Sequence, residues 1–188
     1  YPAVGDYVMA SLADTADIAV IRTVLPRKSV FLRSAVGVTG QAQIVASNVD
    51  LVFLCMSLNQ NFNLSRMERY LAVAWESGAK PVILLTKSDL CDDLPARLGE
   101  IDGIRGETEV IVTSALDASA VGKVLDCLRP GVTASFIGSS GVGKSTLINL
   151  LLDEDALATA DIGKYDKGRH TTTGREMLPL TNGGVVID

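Results

Sequence analysis

Apolar and polar positions change rhythm near residue 48. Before it, short stretches of alternating character are punctuated by Pro26, Gly37 and Gly40, which predicts strands at residues 6–11, 18–24 and 30–33 in a small β unit. From Asp50 on, apolar runs alternate with stretches of helical period, beginning with Leu51-Val52-Phe53-Leu54-Cys55-Met56. Leu64, Met67, Leu71, Ala74 and Trp75 follow at helical spacing, with Asn63 placed to cap the start and Gly78 just past the end. Further buried strands are expected at Pro81-Val82-Ile83-Leu84-Leu85, Glu109-Val110-Ile111-Val112-Thr113 and Thr133-Ala134-Ser135-Phe136-Ile137, each leading into a stretch that can be helical. This alternation predicts an α/β fold, a mostly parallel sheet covered by helices on both faces. Ligands of such sheets bind beyond the carboxyl ends of the strands, so chemistry is to be sought there. The expected division is a β unit over residues 1–48 and an α/β domain over residues 49–188.

Composition narrows the class. With 188 residues, 47% hydrophobic and 21% charged, the chain reads as a soluble globular protein with one substantial core. The apolar runs stop at Asn59 and Lys87, short of the roughly 18–20 residues a membrane helix needs, so no membrane association is expected. The opening Tyr1-Pro2-Ala3-Val4-Gly5-Asp6 has neither a basic nor a long apolar stretch. No signal peptide is therefore expected, the missing Met suggests a trimmed N-terminus, and a cytoplasmic setting follows. Cys55, Cys91 and Cys127 form no C-x-x-C pair and read as buried or idle thiols. The net charge of −5 is uneven: residues 1–48 hold four basic and three acidic side chains, and residues 49–188 hold thirteen and nineteen. Without a long basic run, this stretch is not expected to grip a phosphate backbone strongly by itself.

One motif is complete. Gly138-Ser139-Ser140-Gly141-Val142-Gly143-Lys144-Ser145 fills every position of G-x-x-x-x-G-K-[ST], between an expected strand and the helical Thr146-Leu147-Ile148-Asn149-Leu150-Leu151. Its glycines let successive N–H groups turn toward phosphate oxygens, and the helix start adds its positive end. Lys144 is expected to reach the β- and γ-phosphates and Ser145 to hold Mg²⁺.

That loop alone fits a kinase or an ATPase as well, so the base is argued from upstream residues. Thr86-Lys87-Ser88-Asp89 resembles the N-K-x-D guanine-recognition segment of GTPases. Asp89 would accept from the ring N–H and the amino group of guanine, a donor pair that adenine lacks, and an unpartnered carboxylate facing adenine supplies the discrimination. The Lys87 stem would cover one face of the base. Thr86 stands where the usual segment has Asn, a departure that bears on how the segment is anchored to the phosphate loop. Thr113-Ser114-Ala115, after the next strand, resembles the segment whose backbone contacts the guanine oxygen. The residues expected to bind GTP or GDP are thus Thr86, Lys87, Ser88, Asp89, Ser114, Ala115, the loop from Gly138 to Ser145, and Thr146.

The order of motifs is inverted relative to most GTPases, because the base-reading segments precede the phosphate loop. Together with Pro2-Ala3-Val4-Gly5-Asp6, Leu25-Pro26-Arg27-Lys28-Ser29, Ile44-Val45-Ala46-Ser47-Asn48-Val49-Asp50 and Gly168-Arg169-His170-Thr171-Thr172-Thr173, this resembles the ribosome small subunit-dependent GTPase A family (RsgA, also called YjeQ). In that family an OB-fold unit leads into a circularly permuted GTPase domain. The resemblance implies that Tyr1 falls inside the OB unit, that Asp188 begins a D-T-P-G segment, and that a zinc-binding domain would follow. Zinc is expected only in that further domain, and hydrolysis by this chain alone is expected to be weak or absent. The resemblance further implies GTP hydrolysis in late maturation of the small ribosomal subunit, with that subunit and its rRNA as partners. Arg27, Lys28 and Arg33 are then candidates for an RNA-facing surface, and a monomer is expected.

For the mechanism, Mg²⁺ is expected on Ser145, on one of the threonines 171–173 with Thr172 favoured, and on Asp188 through water. Residues 158–173 are polar and contain Gly163 and Gly168, and are expected to act as a switch ordered by the γ-phosphate and the metal. His170, the sole histidine, is the candidate for positioning the attacking water. Two other readings stay open: an ATP-dependent P-loop kinase or ATPase, and a non-catalytic GTP-binding switch module.

Overall fold

In the computed structural model the residues described are 1–12, 18–33, 43–114, 118–152 and 176–187. The chain first forms two antiparallel ladders, β1 (Val8–Leu12) with β2 (Ala19–Val24) and β3 (Val30–Arg33) with β4 (Gln43–Ser47). Three strands were expected here; β4 is the addition. There follow β5 (Leu51–Ser57), α1 (Leu64–Ser77), β6 (Lys80–Thr86), α2 (Leu94–Arg105), β7 (Glu109–Val112), α3 (Ala118–Cys127), β8 (Thr133–Ile137), α4 (Lys144–Leu152), β9 (Met177–Pro179) and β10 (Val185–Ile187). The last six strands make one sheet in the order β7-β6-β5-β8-β10-β9. Every neighbouring pair is parallel except β10 with β9.

All seven residues of β5 are buried, as a central strand covered on both faces requires. Side chains alternate across the sheet, so Phe53 and Cys55 face α3 and α4 through Val124, Leu128, Leu147, Ile148 and Leu151. Val52, Leu54 and Met56 face α1 and α2 through Met67, Leu71, Ala74 and Ile101. Phe53 stacks on Phe136 of β8 with ring centroids 4.8 Å apart. Each such fully buried side chain contributes about 1.5–3 kcal/mol.

Helix α1 keeps the expected ends. The Asn63 side chain accepts from the Arg66 N–H, and Gly78 closes the helix at φ 85°, a left-handed conformation that glycine adopts without a steric cost. Trp75, expected on the apolar face, is 56% exposed. Ala74 occupies the buried position of that turn, and the next residue, about 100° further round, projects outward.

From β5 the chain builds outward through β6 to β7, then returns to place β8 on the other flank of β5. The sheet therefore reverses its winding between β5 and β8. Loops leaving these two strands diverge to opposite faces and open a crevice at the carboxyl ends.

The N-terminal unit is tied to the sheet by a polar cluster. Asp6, whose side chain is 1% exposed, pairs with Arg27. It accepts from Arg27 Nε at 2.6 Å and Nη2 at 2.7 Å, from Ser47 Oγ at 2.6 Å and from Ala3 N at 2.8 Å. Gly5 passes so close that a Cβ there would lie 2.0 Å from the Ser47 carbonyl oxygen. Lys28 Nζ pairs with Asp50, whose Oδ2 accepts from Thr133 N at 2.9 Å, at the start of β8. Two of the three residues offered as an RNA-facing surface, Arg27 and Lys28, are thus committed to internal ion pairs. The carboxylates they serve are close in space although 21 and 22 positions away in sequence, which no local charge pattern reveals.

The Arg27 guanidinium, with the Ser47 hydroxyl and the Ala3 N–H, holds the Asp6 carboxyl well below the usual carboxylate range against its burial. A carboxyl depressed in the folded state adds stability above its unfolded pKa of about 3.9 and loses it as pH falls toward the folded value. Asp6→Asn is expected to destabilise the chain by about 2 kcal/mol at pH 7, with the gap to wild type narrowing below about pH 4. Urea unfolding at both pH values checks this; an equal gap at each would assign the loss to packing.

Candidate nucleotide site

The phosphate loop leaves β8 beside β5 and turns into α4. Gly141 and Gly143 stand at φ 77° and 99°, left-handed values that let consecutive N–H groups converge on an anion. The Gly143 carbonyl accepts from Leu147 N at 3.0 Å to start the helix, whose positive end then faces the loop. Lys144 Nζ donates to the carbonyls of Gly138 at 2.8 Å and Ser139 at 3.0 Å, so the ammonium lies across the mouth of the loop. Ser140, Gly141 and Thr146 are exposed, and Ser145 is half-buried at the start of α4.

The loop rests on β5. Gly138 packs against Cys55, whose thiol burial pushes up to about 12 despite the nearby Lys144 cation. A thiol held that high is neither a nucleophile nor a ready ligand, which agrees with the expectation of an idle cysteine.

The second segment is stitched to this loop. Thr86, at the end of β6 and buried, donates through Oγ1 to the Val142 carbonyl at 2.6 Å, and Lys87 Nζ donates to the Gly141 carbonyl at 2.7 Å. The threonine that departs from the usual Asn therefore reaches the phosphate loop directly. Lys87 sits at φ 57°, an uncommon conformation for a non-glycine residue, and leads into a single 3₁₀ turn, Ser88–Leu90. Ser88 N donates to the Thr113 carbonyl at 3.1 Å. Ser114 Oγ donates to Asp89 Oδ1 at 2.5 Å, joining the segments that follow β6 and β7. Asp89 is exposed.

Thr86, Lys87, Thr113, Ser114, Val142, Gly143, Thr146 and Leu147 line one small cleft. A larger open cleft lies at the other end of the sheet, along Asp50, Lys80, Glu109 and Arg129, away from the phosphate loop and from residues 86–89 and 113–114. Among the described residues no group of three or more His, Cys, Asp or Glu side chains could hold a metal, and no helix is long and apolar enough to cross a membrane. Ala115, His170, Thr171, Thr172, Thr173 and Asp188, with the expected switch over residues 158–173, lie outside the described residues. One contact went unread in the sequence: Arg66 Nη1 donates to Ser139 Oγ at 3.2 Å across 73 positions. Its only local signal is a cation in the first turn of a helix.

The comparisons agree with this geometry. The RsgA GTPase family model matches residues 24–188. Small ribosomal subunit biogenesis GTPase RsgA 2 of Lactiplantibacillus plantarum is 48% identical over 190 residues, covering 100% of this chain and 53% of that protein. Small ribosomal subunit biogenesis GTPase RsgA of Methanosarcina acetivorans is 48% identical over 189 residues, covering 100% and 51%. The chain thus spans about half the length of these curated relatives. Among solved structures, YjeQ from Thermotoga maritima superposes with a TM-score of 0.75 at 27% identity, over 100% of this chain and 60% of that one. YloQ, described as a circularly permuted GTPase, has a TM-score of 0.67 at 22% identity over 100% and 56%, and supports the fold.

Proposed function

The chain belongs to the RsgA GTPase family, and from that premise we propose that it binds guanine nucleotides at the ends of β6, β7 and β8 and hydrolyses GTP to GDP and phosphate. The observation that carries this reading is the pair of bonds from Thr86 Oγ1 and Lys87 Nζ to the carbonyls of Val142 and Gly141. On this reading they tie the base-reading segment to the phosphate loop and so fix the separation of the base end from the phosphate end.

On this reading the triphosphate lies along the N–H groups of residues 138–145, with Lys144 against its β- and γ-oxygens. Asp89 takes the guanine N–H pair, Lys87 covers the base, and the Ser114 hydroxyl holds the Asp89 carboxylate in place. Ser145 offers a hard hydroxyl oxygen in the first turn of α4, which suits Mg²⁺, and Thr172 and Asp188 are proposed to complete its protein contacts. When bound, Mg²⁺ supplies neutralisation of the charge on the transferring phosphoryl group. His170 is proposed to orient the attacking water; an unchanged kcat in His170→Ala would remove it from that role. The relatives' names support action in biogenesis of the small ribosomal subunit, and we propose its rRNA as a partner and a cytoplasmic setting.

Titration with GDP, GTP and ATP in the presence of Mg²⁺ tests the reading. Guanine nucleotides are expected to bind at least about 100-fold more tightly than ATP. Equal binding would leave a generic phosphate loop and open the site to adenine-dependent chemistry. Phosphate release from GTP by the longer protein, with and without small ribosomal subunits, then separates a hydrolase from a passive switch.

A further inference from the structure

Strands β5 and β8 are adjacent, so the helix that follows β5 begins beside the loop that follows β8. Arg66 stands in the first turn of that helix, three residues past its Asn63 cap. The positive end of a helix disfavours a cation there, and the turn holds no acidic residue to offset it. Among the described residues the Arg66 guanidinium takes part in none of the four ion pairs. It is half-buried and donates through Nη1 to Ser139 Oγ at 3.2 Å. Ser139 is also the residue whose carbonyl accepts from Lys144 Nζ at 3.0 Å. Two cations therefore meet on one residue of the phosphate loop, one on its side chain and one on its carbonyl, with no carboxylate of the described residues paired to either.

Like charges gathered this way are unfavourable until an anion arrives. We propose that Arg66 is a positioning residue that acts through Ser139 to set a second positive charge at the terminal-phosphate end of the site, so that the site favours nucleoside triphosphate over diphosphate. The inference rests on the nucleotide-binding reading above and deepens it. Lys144 serves both nucleotides, because it reaches the β- as well as the γ-phosphate. The additional charge of Arg66 matters chiefly for the additional charge of the triphosphate. A guanidinium suits the task because it stays charged and keeps the serine bond through one of its planar donors.

The test is the affinity ratio between a non-hydrolysable GTP analogue and GDP, each with Mg²⁺, for wild type, Arg66→Gln and Arg66→Lys. Arg66→Gln keeps an amide donor and removes the charge. It is expected to leave GDP affinity within about twofold and to weaken the analogue on the order of tenfold. Arg66→Lys, retaining the charge, is expected to recover most of the preference. The cap bond uses the Arg66 backbone N–H, so both variants keep the start of α1, and an unchanged melting temperature verifies it. Equal weakening of both nucleotides by Arg66→Gln would make Arg66 a plain support of the loop, and no change in either would make it a bystander; each overturns the proposal. Wild type failing to bind GDP would instead overturn the nucleotide site itself and the proposal with it.

Discussion

Asp89→Asn is expected to weaken GDP and GTP binding by at least about 100-fold while leaving ATP binding, however weak, unchanged. The carboxylate presents two acceptors to two donors on the guanine edge, and each charge-assisted bond contributes about 1.5–3 kcal/mol. An amide keeps one acceptor and turns an N–H₂ group toward the guanine amino group, so one bond is lost and the other loses its charge. Together that is about 3 kcal/mol, or a factor of about 100. The fold should not register the change, because Asp89 is exposed on a three-residue turn, and such substitutions stay within about 0.5 kcal/mol. The same chemistry predicts a gain: xanthosine diphosphate carries a carbonyl where guanine has its amino group, and the Asn amide can donate to it. Calorimetric titration with GDP, GTP, ATP, ADP and xanthosine diphosphate measures all of this. Parallel weakening of GDP and ADP would place Asp89 in support of the loop, not at the base.

How much of this was legible beforehand divides along a physical line. Periodicity reports what lies within one element, and it delivered β8 at Thr133–Ile137 and both ends of α1 from Asn63 and Gly78. The alternation of apolar strands with helices delivered a sheet covered on both faces, because a strand buried on both sides has to be apolar throughout, as β5 is. Strand β4 escaped because only part of it is buried and its first residue, Gln43, is exposed, so it lacks the uniform apolar signal. Contacts that join distant positions left no local signal, and only the anchoring of Thr86 to the phosphate loop was raised in advance, through the resemblance. Thr86 meets Val142 across 56 positions and Arg66 meets Ser139 across 73. Each depends on the strand order β6-β5-β8, which local patterns do not encode. The motifs nominate residues for chemistry, and the fold brings Thr86 and Lys87 against the loop of Val142 and Gly141.

Gly138→Ala is the second large effect, and it arises from contact. A Cβ at this position would lie 2.8 Å from the Cys55 carbonyl oxygen, 2.9 Å from Cys55 Cβ and 3.0 Å from Val142 Cγ2. The first two belong to Cys55 of β5, which pairs with Leu84 of β6 and directly follows the last β5 residue paired with β8, Leu54, so the strand has little room to give way. The loop has to retreat instead, and it takes with it the carbonyl that holds Lys144 and the Val142 carbonyl that holds Thr86. Overpacking of this kind costs about 1–3 kcal/mol of stability, and displacing a positioned group by about 1 Å costs a factor of about 100. Loss of GDP binding by at least that factor, with a lowered melting temperature, is therefore expected. Gly141→Ala separates the causes, because a Cβ there meets nothing within 4 Å while φ stands at +77°. It should bring only backbone strain of about 1–2 kcal/mol. If Gly138→Ala bound GDP within threefold of wild type at an unchanged melting temperature, the phosphate loop could not be seated against β5, and the stitching of base segment to loop would fall with it.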